Sequence, residues 1–138
     1  MKLLILSLLC AVCVFAQPQR VAVIKANAAL VEKSTAAVQS VRETDQRLKD
    51  WVETIARCGA EVRAILDAGT ADTWKRDLEV IRASVGKASG AIRLSTGGAA
   101  LHDVELLLEE THAPREVRPA VFAATSAFIL LRFEVGGQ

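Results

Sequence analysis

Apolar residues recur along this chain with the three-and-four spacing of helices. Sustained alternation of β-branched residues occurs nowhere, so the pattern predicts helices and no sheet. Residues 20–58 place Val21, Ile24, Ala28, Val31, Val38, Val41, Leu48, Val52 and Ile55 on one side. The other side carries Glu32, Lys33, Arg42, Glu43, Arg47, Asp50, Glu53 and Arg57. From Val38 to Ile55 the spacing is heptad-like, with Asp45 as the one polar intruder. As one helix this stretch would be about 58 Å long, with a kink allowed near Ser40–Asp45, where Ser40-x-x-Glu43 has the form of a capping box. Gly59 either ends the helix or is spanned by it, because the stripe resumes at Val62, Ile65 and Leu66. Gly69 is a firmer stop.

A second helix is predicted from about Ala71 to Leu94, on the stripe Trp74, Leu78, Ile81, Val85, Ala88 and Ile92. Gly86 and Gly90 lie inside it one turn apart, each costing up to about 1 kcal/mol relative to Ala. That cost points to close approach of another helix. Ser95-Thr96-Gly97-Gly98 stops it. A third helix covers Ala99 to His112, with Leu101, Val104, Leu107, Leu108 and Thr111 as its apolar side, and Pro114 ends it. The fourth covers Arg115 to Val135, with Pro119 in its first turn, where a missing N–H is harmless. Between Arg118 and Arg132 it has no charge, and Phe122, Ile129, Leu130 and Phe133 extend its apolar surface beyond the main stripe. A helix apolar all round belongs in the middle of a bundle. The fold predicted is all-α: an antiparallel bundle of four to five amphipathic helices, with a long first helix and an apolar C-terminal helix.

The opening residues have another purpose. Met1-Lys2 is a short basic start, Leu3 to Phe15 is apolar apart from Ser7, and Val14-Phe15-Ala16 offers small residues at the −3 and −1 positions of a cleavage site. This is the pattern of a secretory signal peptide, and the apolar run falls short of the roughly 20 residues of a membrane span. The other reading is a lipoprotein leader built on Cys10 or Cys13. It lacks the small residue expected before a lipidated cysteine. Residues 1–16 are therefore expected to be removed, leaving residues 17–138 as a single secreted helical domain. Loss of Lys2 takes Lys+Arg from 17 to 16, equal to the 16 Asp+Glu, so the mature chain has no net field to attract nucleic acid or anionic lipid. With four Phe, two Trp and no Tyr, it also lacks the aromatics of a base-stacking platform. Removing the leader leaves Cys58 as the only cysteine, either buried and free or paired with a second chain.

The most chemical-looking cluster is His102, Glu105, Glu109 and His112, at offsets 0, 3, 7 and 10 of the third helix. Imidazole and carboxylate suit zinc and related ions. A carboxylate-bridged metal site needs a second Glu-x-x-His on a partner helix, and the sequence has none, so the expected reading is a solvated flank with no metal and no cofactor. Cys58 has no neighbouring His in sequence, Gly86-Lys87-Ala88-Ser89 lacks the hydroxyl directly after Lys and the upstream Gly of a phosphate loop, and no Gly-x-Ser-x-Gly elbow exists. No catalytic residue is assigned, and the chain is expected not to be an enzyme. The leading expectation is a secreted protein that docks an extracellular protein through the outer side of its first helix and the large anchors Trp51 and Trp74. A homodimer through the 38–55 stripe, locked by Cys58, is a variant. The alternative is a carrier of lipid or another apolar ligand in a cavity beside Phe122, Phe128 and Leu131. No stable membrane span is expected.

Overall fold

The computed structural model describes residues 2–39 and 45–136, with side chains from Gln17 onward. The elements are α1 (Lys2–Gln39), α2 (Gln46–Ala68), α3 (Trp74–Ala91), α4 (Ala99–Glu110) and α5 (Arg118–Glu134), with no strand among the described residues. The all-α bundle is therefore as the periodicity predicts, and α1 is its longest helix, at 38 residues.

The stretch 20–58 is not one helix. Asp45, the polar intruder in the stripe, is the N-cap of α2 and accepts a hydrogen bond from the Arg47 N–H at 2.8 Å. A short carboxylate satisfies an amide that a helix start leaves open, so a new helix begins where the stripe appeared merely blemished. The capping-box pair Ser40 and Glu43 lies outside the described residues, as does Val41. The α1 and α2 helices fold back on each other as an antiparallel pair. Lys25 meets Asp67 at 2.9 Å, and Glu32 meets Arg63 at 3.0 Å. Gly59 is spanned by α2 and marks the close approach of the pair: a Cβ there would stand 3.0 Å from the Ala28 carbonyl oxygen. The heptad residues Val38, Leu48, Val52 and Ile55 are all buried in this core, so these four are not free to pack a second copy.

Gly86 and Gly90 show the opposite. Each would place a Cβ with nothing within 4 Å. They lie on the outer face of α3, away from its buried residues Leu78, Ile81, Val85 and Ala88, so no helix approaches them. Helices α3 and α4 both end earlier than predicted. Arg93 and His112 adopt left-handed φ values of 55° and 47°. In each case the following amide reaches back to a carbonyl, Leu94 to Ser89 at 3.0 Å and Ala113 to Leu108 at 3.1 Å. These are Schellman endings built without glycine.

Helix α5 packs against all four others, as its apolar composition predicts. Its buried side presents Val121, Ala124, Phe128 and Leu131. Its C-terminal end is clasped by two arginines. Arg20 of α1 donates to the Glu134 carbonyl at 2.7 Å, and Arg82 of α3 donates to the Val135 carbonyl. Cations complement the negative end of the helix dipole there. One oddity remains in α1: Pro18 lies in its interior, a position that costs about 3 kcal/mol in an ordinary helix.

Candidate interaction surface

The spacing that buries one side of α5 leaves the other uncovered. Phe122, Leu130 and Phe133 are 40%, 54% and 74% exposed. At offsets 0, 8 and 11 they fall within one side of a helix, along about 16 Å of its length. Pro119 and Ser126 share that side, so it carries no charge. Beside it runs a groove of about 640 Å³, lined by Thr96, Gly97, Ile129, Leu130, Arg132 and Phe133.

The wall of the groove is held by a small polar clamp. Buried Arg132 donates to the Ser95 carbonyl at 2.7 Å, and the Ser95 N–H donates to Asp103 of α4 at 2.7 Å. The Ser95 side chain and then its backbone N–H hold the Asp103 carboxyl below its ordinary range, with help from nearby His102 and Arg132. Burial lowers the Arg132 guanidinium, partly offset by the Asp103 charge. The turn between α3 and α4 is thereby fixed against α5, although Gly97 takes a φ of 61°.

The anchors expected from sequence lie elsewhere. Trp51 is only 6% exposed, and its indole N–H donates to the Thr125 hydroxyl at 3.0 Å, so it is the floor of the bundle and not a projecting contact. It underlies a cleft of about 630 Å³ between α2, the end of α3 and α4, bridged by the ion pair of Arg47 with Glu110. Trp74 is half-buried, with the Arg20 guanidinium 5.6 Å from its ring centroid. On the outer face of α1, Val23 and Leu30 are exposed two turns apart.

The remaining candidates do not assemble. His102 and Glu105 approach to 3.8 Å on the open surface of α4, and Glu109 is exposed on the same helix. His112 has left the helix in its left-handed turn, so the four no longer share a helical side. Among the described residues no group of three or more His, Cys, Asp or Glu side chains is arranged to hold a metal ion. Phe128 and Leu131 are fully buried while Phe122 faces outward, so the three do not line a common cavity. Cys58 is free and 3% exposed, with its sulfur 3.6 Å from the Ser84 hydroxyl, which itself donates to Glu61 at 2.7 Å. Burial pushes its thiol up, against the lowering effect of the Ser84 contact. A Cys58–Cys58 bridge would require α2 and α3 to part. No helix among the described residues is long and apolar enough to cross a membrane.

Sequence reasoning placed Phe122, Leu130 and Phe133 in the bundle centre. A helix with no charge between Arg118 and Arg132 has only Ser126 to mark the side that is left open, and its neighbour Thr125 is polar yet buried. Comparison with protein families, with curated proteins and with solved structures returned no match.

Proposed function

We propose that this is a secreted, non-enzymatic protein, released from its leader after Ala16, that docks a protein partner on the open side of α5. One observation carries the reading: Phe122, Leu130 and Phe133 stand exposed on a single uncharged side of one helix. Fully burying such a side chain from water is worth about 1.5–3 kcal/mol, of which docking would gain the share that is now exposed, and Phe is enriched where proteins meet. With no charge between Arg118 and Arg132, this side fits a partner surface that is itself uncharged and apolar. The clamped turn beside it supports the reading, because a fixed surface loses less freedom on binding. Secretion is supported by the basic, apolar and small-residue order of residues 1–16. The non-enzymatic reading is supported by a cysteine whose burial disfavours the reactive thiolate.

The groove of about 640 Å³ favours a second reading, a carrier whose apolar ligand lies between the α3–α4 turn and α5. One experiment separates the two. A photoreactive phenylalanine is placed at position 133, or at exposed Lys87 on α3 as a control, and the protein is irradiated in the fluid into which it is secreted. The expected product is a protein adduct at position 133 and none at position 87. An adduct with the mass of a second copy would make the partner this chain itself. A lipid adduct would replace docking with the carrier reading, and no adduct at position 133 would remove α5 as the docking side.

A further inference from the structure

We infer that the mature chain begins with a pyroglutamyl residue formed from Gln17. The inference rests on the proposed cleavage after Ala16, and Pro18 gives that cleavage an independent physical argument. Inside the 38-residue α1, Pro18 forfeits a hydrogen bond of the helical ladder and crowds the preceding turn. In a chain that starts at Gln17 the same proline is the second residue. It then lies in the first turn, where its missing N–H would be unpaired in any case. The sequence therefore suits a helix whose first residue is Gln17.

Cleavage would free the α-amine of Gln17. Its side-chain amide carbon then sits where closure on that nitrogen gives an unstrained five-membered lactam. The α-nitrogen attacks Cδ, the new N–Cδ bond forms, and the Cδ–Nε2 bond breaks. Nε2 departs as ammonia, taking up the proton that the amine releases. No oxidant, reductant or co-reactant enters.

The surroundings favour the neutral product. Gln17 lies in a groove with Pro18, Val21, Leu66 and Trp74, held otherwise only by a long, exposed hydrogen bond from Nε2 to the Ala71 carbonyl at 3.4 Å. An ammonium there would stand at the positive end of the α1 dipole, close to Arg20 and Lys25. Lys25 and Asp67 neutralise each other at 2.9 Å, and Asp77 in the groove accepts from the Thr73 hydroxyl at 2.6 Å while keeping its charge, so the preference for the neutral ring comes from the dipole and from the apolar Pro18, Val21, Leu66 and Trp74. Cyclisation removes the charge and leaves an apolar-edged ring against the groove.

The test is tandem mass spectrometry of the N-terminal peptide of the full secreted protein, collected cold at neutral pH, beside a Gln17→Ala variant. The expected peptide begins at residue 17, is lighter by one ammonia than its amine form and resists amine labelling. The variant begins at the same position and labels fully. A labelled amine on Gln17 overturns the lactam and leaves the cleavage standing. A chain that begins elsewhere, or retains Met1, overturns both.

Discussion

Gly59 and Gly86 are both interior helix residues with opposite consequences. At Gly86 an added methyl enters open solvent, so Gly86→Ala should raise stability by about 0.5–1 kcal/mol through helix propensity alone. At Gly59 the same methyl would meet the Ala28 carbonyl oxygen at 3.0 Å, and backbone cannot swing aside as a flexible side chain can. Gly59→Ala should cost about 1–3 kcal/mol as the α1–α2 pair is forced apart. Urea denaturation of the two variants checks both signs. A Gly86→Ala protein no more stable than the parent would mean that something packs on the outer face of α3.

At the scale of the element, the α3–α4 turn is where acidification should cost stability. Asp103 is held below its ordinary range by Ser95, so its contribution to stability is complete above the unfolded-state value of about 4 and is lost as the pH falls through the folded-state value. Melting temperature should therefore fall on acidification, and an Asp103→Ala variant should show a smaller fall over the same range; parallel curves would show that Asp103 does not titrate as part of the clamp. The same turn explains how far the helices were legible. Stripes such as Leu48-Val52-Ile55 and Leu78-Ile81-Val85 are set by burial and can be read directly. The ends at Arg93 and His112 could not be, because a left-handed ending usually announces itself with glycine, and here side-chain-bearing residues take it. Asp45 was visible but ambiguous: in a polar–apolar pattern a cap and a blemish look alike. The open side of α5 had little signal, since no charge and only Ser126 distinguishes the side of Phe122 and Phe133 from that of buried Phe128.

For the whole molecule, Cys58 reports on the integrity of the bundle. Its sulfur is enclosed between α2 and α3, and burial raises its pKa, so a thiol reagent should react only as fast as the helices separate. Labelling should accelerate with denaturant in step with unfolding seen by circular dichroism. Rapid modification of the native protein would show that α3 parts from α2 without global unfolding. The bundle also separates its two properties in space: stability resides in the α1–α2–α5 core around Trp51 and Thr125, while the surface proposed for docking lies on the far side of α5. Leu130→Lys and Phe133→Lys should therefore abolish the proposed docking while costing at most about 1 kcal/mol of stability, since Lys suits a helix and its negative end.

The arginine clasp at the end of α5 has a topological consequence. Because Arg20 grips the Glu134 carbonyl at 2.7 Å, the turn of α1 around Arg20 and the last turn of α5 are neighbours. With residues 1–16 removed, as proposed, the polypeptide would be close to a closed loop, open at one seam. A few glycines joining Gly136 to Gln17 would close it, and the exposed Gly97–Gly98 turn offers a place to reopen it. Such a circular permutant would keep every helix and every buried contact while moving both ends to the rim of the groove.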